Sequence, residues 1–128
     1  MADLMTAIYD RLTGHAGTGA LIASRCYPEV LPQKPTLPAI RYQEVGAPSI
    51  SDGSANLFRV TVQIDSFGVT HASAAAVRVQ AKAALAGYTN KASGVGLIRA
   101  LNDGGFTDYE PETALYRASF DVVAIVCE

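Results

Sequence analysis

The stretch at residues 57–67, LFRVTVQIDSF, sets the pattern on which the rest of the chain depends. Apolar and polar side chains alternate along it, as in a strand with one face in the core and one face outside. The inward set is Phe58, Val60, Val62 and Ile64, and the outward set is Arg59, Thr61, Gln63 and Asp65. The alternation weakens at Asp65 and Ser66, so we expect a bulge or the strand end there.

Two elements on the C-terminal side are predicted to pack against this strand. Thr70 is placed to cap an alanine-rich helix over about residues 71–86. Residues 115–126 alternate again and predict a last strand, antiparallel to the first. Matching of charged and polar residues then predicts that Arg59 lies opposite Asp121 and Gln63 opposite Arg117.

The other segments of the chain predict a first helix, two further strands and an extended connection. Leu4, Ile8 and Leu12 form the stripe of a first helix that Asp3 caps and Gly14 ends. Residues 20–24 predict at most one helical turn, and residues 39–45 and 95–101 predict strands. The proline-rich residues 26–38 predict an extended surface connection, because proline lacks the N–H that a strand ladder needs. The expected fold is one α+β domain over residues 1–128, with a mostly antiparallel four-stranded sheet, helices on one face and the order α-β-β-α-β-β.

The composition restricts the class of protein. Of the 128 residues, 49% are hydrophobic and only 17% are charged, so we expect partners or further copies to cover some surface. The ten cationic residues are scattered singly, which argues against specific nucleic-acid binding. No apolar stretch reaches the roughly 20 residues of a membrane span, and the N-terminus does not resemble a signal peptide. We therefore expect the chain in the cytoplasm or in a particle assembled there.

The candidate chemical groups predict no catalytic residue, cofactor or metal site. His15 and His71 lack ligands at metal-binding spacing, and Cys26 is expected to be an inert reduced thiol rather than a nucleophile. The densest acidic patch is Asp108, Glu110 and Glu112 in DYEPETALYR. Paired carboxylates can divide acid and base roles, but a solvated face or a subunit contact is the favoured interpretation.

Three segments together resemble a known family. They are RCYPEVLPQKPTLPAIRYQEV at 25–45, FRVTVQIDSFGVTHASA at 58–74 and DYEPETALYRASFDVVAIV at 108–126. In this order, over nearly the whole length, they resemble the small tail-completion or tail-terminator proteins of long-tailed bacteriophages and gene transfer agents. The resemblance implies a structural virion protein, not an enzyme, assembled in the bacterial host cytoplasm. It also implies a ring, expected to be a hexamer, that caps the tail tube at its head-proximal end and offers the surface for head joining.

The resemblance implies three kinds of partner: further copies of the chain, the tail tube protein and a head–tail connector or stopper protein. The predicted subunit contacts are Arg41, Arg59, Asp65, Asp108, Glu110, Glu112 and Arg117. The loop predicted to contact a partner is Ser49, Ile50, Ser51, Asp52, Gly53, Ser54, Ala55 and Asn56.

Two other functions remain open from the sequence. The first is a head-completion or stopper protein of the connector, which is also a small ring-forming protein. The second, from a different class, is a small ligand-binding or enzymatic α+β domain with a pocket under the proline-rich segment.

Overall fold

The computed structural model describes residues 4–46, 57–89, 95–100 and 106–127. Within these ranges the chain forms three helices and six strands. In chain order they are α1 (Leu4–Gly14), α2 (Ala16–Ile22), β1 (Cys26–Pro28), β2 (Ala39–Gly46), β3 (Leu57–Gly68), α3 (His71–Leu85), β4 (Val95–Ala100), β5 (Phe106–Glu110) and β6 (Leu115–Cys127).

The strands form one sheet in the order β1-β2-β3-β6-β4, and β5 pairs with β6 beside this path. β4 lies along the second half of β6 and β5 along its first half, so the two strands occupy successive positions on one edge. The pairing of β1 with β2 is parallel, whereas the other described pairings are antiparallel. The three long strands β2, β3 and β6 form the centre.

One face of this sheet is buried under the helices. Thr70 caps α3 as the sequence predicts, with its hydroxyl accepting the N–H of Ser73 at 3.1 Å. Helix residues and inward strand residues share one cluster, in which Val77 and Phe120 have no exposed surface. The helical members are Leu4, Ala7, Ile8, Leu12, Ile22, Val77, Ala81, Ala84 and Leu85. The alternation of β3 therefore does bury Val60, Val62 and Ile64, while the side chain of Phe58 lies outside the described part.

The predicted α+β class is confirmed, but the count of four strands and the order α-β-β-α-β-β are wrong. Cys26–Pro28 forms an extra strand inside the proline-rich segment. It is an edge strand that ends at its proline, so the missing N–H interrupts no ladder. β5 is a second extra strand, in a region where the sequence predicts no strand. α2 is also longer than the single turn predicted, because His15 caps it by accepting the N–H of Thr18 at 3.3 Å.

The antiparallel pairing of β3 with β6 is confirmed, but its predicted register is wrong. Arg59 lies opposite Ile125, and Gln63 lies opposite Asp121. The observed register places Asp65 opposite Ser119, whose hydroxyl donates to the carboxylate. A buried carboxylate without donors costs far more than an exposed charge pair contributes, so the needs of Asp65 outweigh charge matching.

The break predicted at Asp65 is also wrong, because β3 continues unbroken to Gly68. Asp65 and Ser66 are buried on opposite faces of the same strand. The predicted Asp3 cap lies outside the described residues.

Two buried serines in this sheet allow a test in which two alanine substitutions should change the free energy of unfolding in opposite directions. The Ser66 hydroxyl has no hydrogen-bond partner among the described residues, whereas the Ser119 hydroxyl donates to Asp65. We expect Ser66→Ala to raise the free energy of unfolding by about 1 kcal/mol, because it removes a desolvated group that gains nothing. Ser119→Ala, the matched control, should lower it by about 2 kcal/mol, since the acceptor is charged. Urea unfolding measures both, and a destabilised Ser66→Ala chain would contradict the assignment.

Candidate functional site

The outward face of the sheet is organised around the carboxylate of Asp65, whose side chain has no exposed surface. Arg41 on β2 lies opposite it and donates from Nε at 3.0 Å and Nη2 at 2.6 Å to Oδ2. The other oxygen, Oδ1, accepts from Gln63 Nε2 at 2.9 Å and from the Ser119 hydroxyl. Four donor groups from three neighbouring strands therefore satisfy one buried carboxylate, as such a group requires.

Arg41 also covers the aromatic ring next to this network. Its guanidinium carbon lies 5.4 Å from the centroid of Phe67, which is almost completely buried. A guanidinium at this distance over a ring gains a cation–π attraction in addition to its ion pair. Because the side chain of Arg41 is only 22% exposed, it is one of the fixed parts of this surface.

A second ion pair lies at the sheet edge, where Asp108 on β5 is the register partner of Arg117 on β6. Arg117 donates from Nε at 2.9 Å to one carboxylate oxygen and from Nη2 to the other. This hydrogen bonding raises the pKa of the Arg117 guanidinium, so the arginine stays charged. The same guanidinium lies 5.0 Å from the ring centroid of Phe106, an exposed aromatic residue. Strand β5 is thus held to β6 by side chains as well as by its ladder.

The structure therefore brings four of the predicted contact residues together as two pairs within one subunit. The sequence does contain a signal for the first pair. Arg41 and Asp65 carry opposite charges on the strands predicted at residues 39–45 and 57–67, and opposite charges on neighbouring strands favour pairing. Sequence reasoning missed Gln63 and Ser119, which are ordinary polar residues until the register is known.

The other predicted contact residues occupy three separate places. Arg59 is exposed on β3, and Glu112 is exposed in the turn between β5 and β6. Glu110 ends β5, where its Oε2 accepts the Thr113 hydroxyl at 3.1 Å. The predicted partner loop at residues 49–56 lies outside the described residues.

A groove of about 630 Å³ opens on the outward face, where the sequence suggested a pocket under the proline-rich segment. We define its proline-rich wall as residues 30–35 and its acidic wall as residues 110–115, with Arg41 and Phe67 between them. The full lining is Val30, Leu31, Pro32, Gln33, Lys34, Pro35, Arg41, Phe67, Glu110, Glu112, Thr113 and Leu115. Among these described residues there is no cysteine, histidine or serine that could act as a nucleophile with its base.

The remaining chemical candidates also lie apart from this groove. Burial raises the pKa of the Cys26 thiol to about 12, so Cys26 stays protonated and unreactive at neutral pH. Over the ranges that the structure describes, histidine, cysteine and acidic residues do not cluster in a set of three that could hold a metal ion. Among the same residues, no helix has the length and apolar character needed to cross a membrane.

Breaking the Asp65 network tests its contribution to stability. We expect Arg41→Met to lower the free energy of unfolding by about 3 kcal/mol, because it leaves a buried carboxylate without its cation. Adding Asp65→Asn should recover part of this loss, since the amide carries no charge. Urea unfolding of the four chains of this double-mutant cycle gives the coupling energy. The matched cycle of Arg117→Met with Asp108→Asn should give less than about 1 kcal/mol, because the Asp108 side chain is 39% exposed whereas that of Asp65 has no exposed surface. Equal couplings would contradict the account.

Asp121 makes the stability of the folded chain depend on pH. Burial raises the pKa of its carboxyl above the usual value, and the nearby Asp65 raises it further. The folded chain therefore binds this proton more tightly than the unfolded chain, and its stability falls as the pH rises through the raised pKa. Asp121→Asn removes this loss. We expect the variant to melt at a higher temperature than the native chain at about pH 7 and at a similar temperature at about pH 3.

The control for Asp121→Asn is Asp10→Asn on the exposed side of α1, which removes one negative charge away from the sheet. Thermal unfolding at both pH values should show no comparable gain for this control. A gain for Asp121→Asn that is as large at low pH as at neutral pH would exclude the proposed cause.

Comparison with known proteins gives a consistent assignment. One chain of a solved structure described as "Virion of native gene transfer agent (GTA) particle" is similar with a TM-score of 0.75. The two chains are 18% identical, and the match covers 98% of this chain and 95% of that one, so the likeness shows the fold alone. No curated protein matches the chain. A family model described as "Tail completion protein gp17" matches residues 6–127. The chain therefore belongs to the tail completion protein gp17 family and is a structural component of a virion tail, not an enzyme.

Proposed function

We propose that this protein forms a closed ring, a hexamer, that caps the tail tube at its head-proximal end and provides the surface for head joining. The observation that carries the proposal is the family match over residues 6–127, which makes the chain a tail completion protein. The fold shared with a chain of a gene transfer agent virion supports the same setting. The partners in this proposal are further copies of the chain, the tail tube protein and the head–tail connector protein.

Ring closure requires two different contact patches on each subunit, because the same patch used twice produces only a pair. The exposed predicted residues supply charge for such patches: Glu112 and half-buried Glu110 at the acidic wall, and Arg59 at the opposite end of the outward face. Opposite charges that meet across an interface set its register more than they add affinity. We therefore keep these three residues as direct subunit contacts.

The two ion pairs have a different role in this proposal. Asp65 is fully buried and bonded within the subunit, so we assign Arg41 and Asp65 to shaping the contact surface. Arg117 and Asp108 likewise hold β5 in place beside the acidic wall. The segment at residues 49–56 remains our proposed contact with the tail tube, since its serine, aspartate and asparagine side chains can form hydrogen bonds with a partner.

The rival within the same class is a stopper in the head–tail connector, and removal of the gene distinguishes the two. If the producing cell lacks this protein, a terminator predicts full heads beside unjoined tails whose lengths vary. Negative-stain images of the lysate give the fraction of joined particles and the distribution of tail lengths. Restoring the gene on a plasmid is the control, and it should restore joined particles with one tail length.

The other outcomes of this removal are equally informative. Unjoined heads beside tails of normal, uniform length would replace the terminator with the stopper. Joined, normal particles without the protein would contradict a structural role at this junction altogether.

A further inference from the structure

We infer that the groove on the outward face binds helix α3 of a second copy, with Val79 entering the groove and Arg78 and Lys82 meeting Glu110 and Glu112. This inference rests on the proposed ring and names a concave and a convex patch that meet between neighbouring copies, in addition to the proposed contact of Arg59.

The groove is apolar at its base and unequally charged on its walls. Val30, Leu31, Pro32, Phe67 and Leu115 supply most of its apolar lining. The charge of Arg41 is already neutralised by Asp65.

The charges that remain at the groove lie on opposite walls. Glu110 and Glu112 lie on the acidic wall, and Lys34 lies on the proline-rich wall. A matching occupant needs an apolar ridge with cations along one border and no charge along the other.

Helix α3 carries such a ridge. Its inward residues Val77 and Ala81 are fully buried in the core, whereas Val79 is 61% exposed. Small residues extend the exposed ridge on both sides of Val79, namely Ala72, Ala76 and Ala83. A ridge of small side chains lets the helix approach an apolar groove closely and carries few polar groups that would need desolvation.

The cations of α3 lie along one border of this ridge. Arg78 and Lys82 are four residues apart and so occupy the same side of the helix, toward β6. Their positions are held within the subunit: Arg78 Nη1 donates to the Ser119 carbonyl at 3.4 Å, and Lys82 Nζ lies 5.8 Å from the Phe120 ring centroid. The other border carries Gln80 and no charged residue. Docked with its cations toward the acidic wall, α3 presents the uncharged border to Lys34.

Val79 stands out from the other exposed apolar residues for this role. The exposed large apolar side chains of the described chain are Val30, Val45, Val69, Val79, Phe106 and Tyr109. Val30 lines the groove itself, while Phe106 and Tyr109 lie on β5 next to the acidic wall. Val45 follows Glu44, and Val69 precedes the helix without a neighbouring cation. Of these residues, only Val79 is directly adjacent to a cation, Arg78, and three residues from a second, Lys82.

The two patches are also placed for a head-to-tail contact. The groove lies on the outward face, where Arg41 and Phe67 project from β2 and β3. α3 packs on the inward face, against residues such as Val60 and Val62, and exposes Val79 on the far side. One copy therefore offers a convex patch and a different, concave patch, and a contact between two different patches is heterologous.

Disulfide trapping in assembled particles tests this contact. Particles are produced with a chain that carries Val79→Cys and Leu31→Cys, oxidised, and separated on a non-reducing gel. We expect covalent dimers and a ladder that extends to the closed ring. Each single variant should give no ladder, and the matched pair Val69→Cys with Leu31→Cys controls for an exposed cysteine elsewhere on the subunit.

Charge reversal provides a second test that does not depend on disulfide geometry. We expect Glu110→Lys with Glu112→Lys, and separately Arg78→Glu with Lys82→Glu, to lower incorporation into particles by at least about tenfold. All four changes together should restore incorporation, since the opposite charges meet again. Thermal unfolding of each purified chain checks that the subunit still folds.

The outcomes separate this inference from the proposed ring. If the chain is incorporated but the Val79–Leu31 pair gives no ladder, or if Val69–Leu31 gives an equal one, the α3 contact is wrong and the ring stands. Crosslinks to a different particle protein alone would assign the groove to that partner and overturn the inference. Absence of the native chain from particles would overturn the proposed function itself.

Discussion

The hydrogen bonds around the buried carboxylate of Asp65 hold the three central strands of the sheet in register. A charge without exposed surface is tolerated only when donors surround it, and here they come from β2, β3 and β6. Those donors fix the registers of both β2 and β6 against β3, because a shift of either strand removes a partner from the carboxylate. Removing one partner of such a group is costly, whereas an exposed pair such as Arg117 with Asp108 contributes little.

The Asp65 network lies on the outward face of the sheet, and the hydrophobic core lies on the inward face. On the inward face, alternating apolar residues meet α1 and α3, and this packing supplies the hydrophobic stabilisation of the fold. On the outward face, Asp65 holds Arg41 over Phe67 and so defines the base of the groove. The stability of the subunit and the shape of its proposed contact surface are therefore linked through one side chain. An alteration at Asp65 would affect both.

The sequence predicted those features that depend on local patterns. Alternation in β3 and β6, the alanine-rich helix with its Thr70 cap and the α+β class are all read from neighbouring residues. The β3–β6 register was not predictable from charge matching, because a buried carboxylate decides it and burial is not visible in a single sequence. β1 and β5 were missed for a related reason. Three residues ending in Pro28, and five residues of which four are exposed, lack the apolar alternation of a strand. β1 forms by pairing with β2, and β5 forms by pairing with β6.

A cryo-EM reconstruction of the junction between head and tail in the producing particle would show directly whether this chain forms the proposed ring. We expect a closed ring of this chain on the head-proximal end of the tail tube, with Asp65 enclosed inside each subunit and α3 of one copy in the groove of the next. Density for this chain elsewhere in the particle, or at the junction without contact between neighbouring copies, would contradict it.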